Sequence, residues 1–62
     1  MPLTTLNLDA TPEQLWALAQ FVKRVGWSEM RQNAVDEDET AEMRAGLEAL
    51  QKALGEAGFA PR

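Results

Sequence analysis

The sequence predicts a mainly helical α+β fold, with one N-terminal strand followed by two or three helices. Three observations support this prediction. Residues 3–8 alternate in the manner of a strand, residues 11–14 carry a strong helix-start signal, and no second strand pattern occurs elsewhere. A single strand cannot pair within its own chain, so we expect the same strand of a second copy to be its partner.

The predicted strand has two unequal faces. Thr4, Leu6 and Leu8 alternate on one face, which we expect to form the ribbon of a homodimer. Thr5 and Asn7 lie on the wetter face. Antiparallel pairing of two copies would then satisfy the backbone groups that one copy leaves open.

Size and composition also favour self-association. The chain has 62 residues and is read as one small domain over 1–62, with a core that is marginal at this size. It contains no Cys and no His, so disulfides and common metal sites are not available to support the fold. No signal peptide or membrane span is visible, and we expect a cytoplasmic protein with no membrane association and no cofactor.

The first helix is predicted from Pro12 to about Val25. Thr11 and Gln14 form a capping box, and Pro12 suits the first helical position. Gly26 is expected to end the helix in a left-handed conformation. The apolar residues of this helix share one broad face: Leu15, Leu18, Ala19, Val22 and Val25, with Trp16 and Phe21 on its flanks.

A short second helix is predicted from a Ser28 cap to about Ala34. The following segment contains no Gly or Pro, so one continuous helix over residues 28–57 remains an alternative. We favour a break, because Asp36 and Glu39 form a second capping-box pattern.

The third helix is predicted over 37–57. Gly58 should stop it, with Phe59 folding back near Leu54 in a Schellman-type contact, and Gly46 should allow a close approach to another helix. Its apolar residues form a seam for a neighbouring helix: Met43, Leu47, Leu50, Leu54 and Ala57.

Negative charge is concentrated in the second half of the chain. The net charge is −4, and residues 32–62 hold seven acidic and three basic side chains. This balance disfavours nucleic acid as a partner. We identify the acidic run as a candidate surface for a basic protein, although charge runs of this kind are usually solvated helix starts. The surface comprises Asp36, Glu37, Asp38, Glu39 and Glu42.

Catalytic and metal-binding patterns are weak. Ser28 has no His to act as its base, and Cys is absent, so we do not expect an enzyme. The acidic run begins like an EF-hand loop, but Ala41 replaces the required Gly and Leu47 replaces the bidentate Glu. Trp16 and Trp27 are expected in the core or in a dimer interface.

The order strand, helix, Gly26-Trp27-Ser28, helix resembles the ribbon-helix-helix family of dimeric DNA-binding proteins over residues 3–35. The resemblance implies that Thr5 and Asn7 would face the bases and that Ser28 would lie at a phosphate. The base-reading face contains no Arg or Lys, so a DNA-binding regulator is the alternative function.

A second resemblance extends over most of the chain. The segments TLNL, TPEQLWALAQF, KRVG, NAVD and AGFAPR look like a family of short uncharacterised bacterial proteins, often associated with mobile elements. The resemblance implies a bacterial setting in which small acidic proteins act as inhibitors of other proteins. Our leading hypothesis is therefore a non-enzymatic, homodimeric, acidic interaction protein.

Overall fold

A computed structural model describes residues 2–61, which form three helices. These are α1 over Pro12–Arg24, α2 over Trp27–Asn33 and α3 over Glu37–Glu56. Residues 34–36 separate α2 from α3, so the predicted break is confirmed and the continuous-helix alternative is wrong.

The predicted N-terminal strand is wrong. Residues 2–61 contain no strand, and residues 2–10, which we call the arm, precede α1 as non-helical chain. Alternating side chains are compatible with a strand but do not create one. A strand also requires a row of hydrogen bonds to a neighbouring strand. The arm has no such neighbour, so the α+β class and the paired ribbon through Thr4, Leu6 and Leu8 are both replaced by an all-helical fold.

The start of α1 confirms the capping box. Gln14 donates its backbone N–H to Thr11 Oγ1 at 3.1 Å, and the Thr11 N–H donates to Gln14 Oε1 at 2.9 Å. The helix ends as Val25 turns to extended backbone. Gly26 has φ −108°, so the left-handed stop expected at this residue is wrong.

Helix α2 begins one residue before the predicted cap. Gly26 is the N-cap, which places Ser28 inside the first turn rather than at the cap. Glu29 occupies the third helical position, and its Oε2 lies only 3.0 Å from where a Cβ on Gly26 would be. The carboxylate of Glu29 therefore lies close to the N-cap residue, without a hydrogen bond to it.

Both ends of α3 lie within one residue of the prediction, but the predicted capping box forms only in part, because the Glu39 side chain accepts from the Val35 N–H and not from the Asp36 N–H. Asp36 Oδ1 accepts a hydrogen bond from the Glu39 N–H at 2.8 Å. At the other end, the Phe59 N–H donates to the Leu54 carbonyl at 2.8 Å and the Gly58 N–H donates to the Gly55 carbonyl at 3.0 Å. These two bonds form a Schellman motif around the left-handed Gly58.

The core lies where α3 packs against α1, while α2 packs against the other part of α3. Trp16 near the start of α1 meets Phe59 after α3 in an edge-to-face contact, so α1 and α3 run antiparallel. Few apolar residues of this cluster are buried, and partly buried side chains, most of them from the predicted apolar helix faces, pack around them. The core comprises Ala19, Val22 and Leu54, surrounded by Leu15, Leu18, Leu47, Leu50 and Phe59.

Candidate interaction surfaces

The acidic candidates all lie exposed at the start of α3. Two of them have a structural role. Asp36 caps the helix, and Glu39 Oε1 accepts a hydrogen bond from the Val35 N–H at 3.1 Å. Their carboxylates stabilise the helix start, so helix capping explains the presence of Asp36 and Glu39 without a partner.

The side-chain carboxylates of the other three acidic candidates, Glu37, Asp38 and Glu42, make no hydrogen bond or ion pair within residues 2–61. Asp38 and Glu42 are four residues apart and therefore share one face of α3. Like charges at this spacing destabilise a helix slightly, and a cation placed between them would relieve the repulsion. We call Glu37, Asp38 and Glu42 the acidic face.

The arm exposes large apolar side chains. Leu3 is 99% exposed, Leu6 86% and Leu8 59%. No hydrogen bond joins residues 2–10 to the remainder of the described chain. Three leucines in one short, unattached segment are unusual for a soluble surface, where apolar residues are normally scattered.

An apolar groove lies between the last turns of α1, helix α2 and the first half of α3. Its floor and walls are the apolar groove residues Phe21, Val25, Met30, Met43 and Leu47. Polar residues line its rim, and only Arg24 and Glu29 among its lining residues carry charge. The groove is thus apolar inside and close to neutral overall.

The two tryptophans are each 44% exposed, so each is partly packed and partly open. The Trp16 ring contacts Phe59 with ring centroids 5.2 Å apart and planes inclined at 72°. Trp27 lies beside a second surface depression, together with Arg44 and Gln51. Trp16 therefore packs on Phe59 beside the core, while nearly half of each indole stays at the surface. The expected place of both rings in the core or in a dimer interface stays a prediction.

The residues of the DNA-binding alternative do not form the predicted constellation. Thr5 and Asn7 are exposed on the arm, and Ser28 is exposed inside the first turn of α2. The N-cap of α2 is Gly26, which provides no side-chain hydrogen bond. The pairing of two strands, on which base reading by Thr5 and Asn7 depends, is missing from the fold.

The carboxylates and helices of residues 2–61 provide neither a metal-binding cluster nor a membrane-spanning helix. No group of three or more Asp or Glu side chains in this range is arranged to hold a metal ion. None of the three described helices combines the length and apolar character that a bilayer crossing requires.

The apolar groove is the feature that sequence reasoning missed. The broad apolar face of α1 was visible in the sequence, but the pattern did not reveal that Phe21 and Val25 line one groove with Met43 from α3. Phe21 was the available signal, because an aromatic residue on the flank of a core-facing stripe often lines an interface. Thr40 was also missed: it is fully buried, and its Oγ1 donates to the Asp36 carbonyl at 2.9 Å.

Comparison with known proteins gives a family but no activity. No curated protein matches the chain, and no solved structure matches it. A family model described as a family of unknown function, DUF7706, matches residues 1–62. This match agrees with the resemblance to a short uncharacterised family that the sequence motifs indicate. The chain therefore belongs to the DUF7706 family of unknown function.

Proposed function

We propose that this chain is a non-enzymatic, acidic interaction protein that forms a homodimer and binds a basic protein partner. The observation that carries the proposal is the exposure of large apolar side chains on a chain with so small a core. These exposed residues are Leu3, Leu6, Leu8, Trp16, Phe21, Trp27 and Val35. Apolar surface of this extent is typical of proteins that are covered by another chain.

The acidic face supports a basic partner. Glu37, Asp38 and Glu42 are exposed and have no cation beside them within residues 2–61. The net charge of −4 would attract a basic surface over several ångströms and speed the encounter. Apolar contact would supply affinity, and the acidic face would select among partners.

The sequence resemblance to short bacterial proteins of mobile elements supplies a setting for this proposal. In such a setting, a compact acidic protein would act by occupying the basic surface of a host protein. Inhibition of that protein is the simplest consequence of such binding, since the chain offers no catalytic constellation of its own.

Charge reversal on the acidic face tests the partner proposal. The full chain is immobilised and used to capture proteins from a bacterial lysate, and the bound proteins are identified by mass spectrometry. We expect a specific basic protein whose capture falls about tenfold or more in Asp38→Lys/Glu42→Lys, because like charges then oppose each other across the interface.

The matched control is Glu13→Lys/Glu56→Lys, which changes the net charge equally at two other exposed positions. This control should retain capture. Equal capture by both double variants would contradict a role for the acidic face. A salt-dependent shift of a DNA probe that is lost in Asn7→Ala would instead favour the DNA-binding alternative.

A further inference from the structure

We propose that the arm of one copy packs into the apolar groove of a second copy, and that the two copies exchange arms reciprocally. Leu6 and Leu8 would be the anchors, inserted between Phe21 and Met43 of the neighbouring chain. This inference rests on the homodimer of the proposed function and specifies how that homodimer is built. It requires no strand pairing, because side chains rather than a backbone ladder make the contact.

The two surfaces match in chemistry. Leu6 and Leu8 are exposed on the arm, while the groove is lined by Phe21, Met43 and other apolar residues. Asp9 is the single charged residue of segment 2–10, so the arm brings little charge into the groove. Two chains of net charge −4 repel each other least when they meet through surfaces as neutral as these.

The reach of the arm favours a second copy over the arm's own groove. The arm joins α1 at Thr11, and the groove begins at Phe21 and Val25, about 15 and 21 Å further along the helix axis. Leu8 is three residues from Thr11 and can extend only about 10 Å from it. Leu8 therefore cannot reach the Val25 end of its own groove, and Leu6 would reach the Phe21 end only at full stretch.

Reciprocal exchange also gives an interface of ordinary size. Each copy would contribute the nine residues of the arm, 2–10, and the nine residues that line the groove. A stable interface of standard area uses about 20–30 residues from each side, so the two contacts together approach that size. A single arm in a single groove would provide only half of it.

Sedimentation velocity over a micromolar concentration series tests the proposal. The parent chain should sediment as a dimer, with twice the 6.9 kDa of one chain. In Leu6→Glu/Leu8→Glu the dimer should dissociate at about 10,000-fold higher concentration, since the two exchanged arms together lose four leucine contacts and each costs roughly a factor of ten. Phe21→Glu, at an exposed groove residue, should weaken the dimer in the same way.

The matched control is Thr5→Glu/Asn7→Glu, which adds the same charge to the same segment at the alternate positions. This control should remain dimeric. Mixing the Leu6→Glu/Leu8→Glu chain with the Phe21→Glu chain should restore a heterodimer, because one intact arm can then enter one intact groove. Arms folded onto their own chains would give no such restoration.

The outcomes separate this inference from the proposed function. A parent dimer that is unaffected by Leu6→Glu/Leu8→Glu would overturn the arm exchange and leave the homodimer in place. A parent chain that remains a 6.9 kDa monomer throughout the series would overturn both the arm exchange and the homodimer. Capture of a basic partner through Asp38 and Glu42 is independent of either result.

Discussion

At the scale of single residues, Gly58 shows how local chemistry determines the end of a helix. Its φ of 97° is the only positive value within residues 2–61, and it allows the two hydrogen bonds that close α3. Residues with a Cβ pay a penalty in this conformation, so only glycine adopts it freely. Gly58 also turns the chain so that Phe59 can pack against the core and the Trp16 ring.

Substitution of two glycines in and after α3 should have opposite effects. Gly58→Ala should lower the free energy of unfolding by about 1–2 kcal/mol, because alanine is strained at positive φ. Gly46→Ala should raise it by about 1 kcal/mol, since alanine is the better helix former. Thermal or denaturant unfolding at one fixed protein concentration measures both. A Gly58→Ala chain that is as stable as the parent or more stable would contradict this account of Gly58.

The two glycines had different outcomes: the prediction at Gly58 is confirmed, whereas the prediction at Gly46 is wrong. A Cβ on Gly46 would have no atom within 4 Å, so the close helix approach expected there is wrong. Gly58 and Gly46 look alike in the sequence, but only Gly58 is followed by an apolar residue and a proline that fix its role. Local sequence context, rather than residue type, made the prediction at Gly58 reliable.

At the scale of the elements, all three helices were predictable and the strand was not. Thr11 and Asp36 were identifiable as caps because each bonds to a backbone N–H only three residues away. The N-cap of α2 was missed by two residues because Gly26 caps the helix without a side-chain hydrogen bond. The strand failed because its hydrogen bonds would have to come from another chain, which alternation in residues 3–8 cannot supply.

The cap of α3 gives a prediction at this scale. Asp36→Ala removes the acceptor for the Glu39 N–H and should lower the free energy of unfolding by about 1 kcal/mol. Asp36→Asn keeps an acceptor oxygen and should cost only a few tenths, chiefly from the lost charge at the helix N-terminus. Chemical denaturation compares the two variants with the parent. Equal losses in both would show that the charge, and not the hydrogen bond, stabilises α3.

At the scale of the whole molecule, the small core leaves many apolar side chains exposed, on the arm and in the groove. The arm and the groove lie at opposite ends of α1, so one chain cannot bring Leu8 to the Val25 end of its own groove. The sequence pattern predicted self-association through Leu6 and Leu8, but as a ribbon of two paired strands. The groove was invisible in the sequence because Phe21, Met30 and Met43 come together only when three helices pack.

The most direct test of this account is a nuclear Overhauser experiment on a mixed sample, in which one copy carries isotope labels and the other does not. The account predicts contacts between the labelled Leu8 methyl groups and the unlabelled Phe21 ring, which can arise only between two copies. Filtered spectra that show no contact between copies, at a concentration where the sample sediments as a dimer, would contradict it.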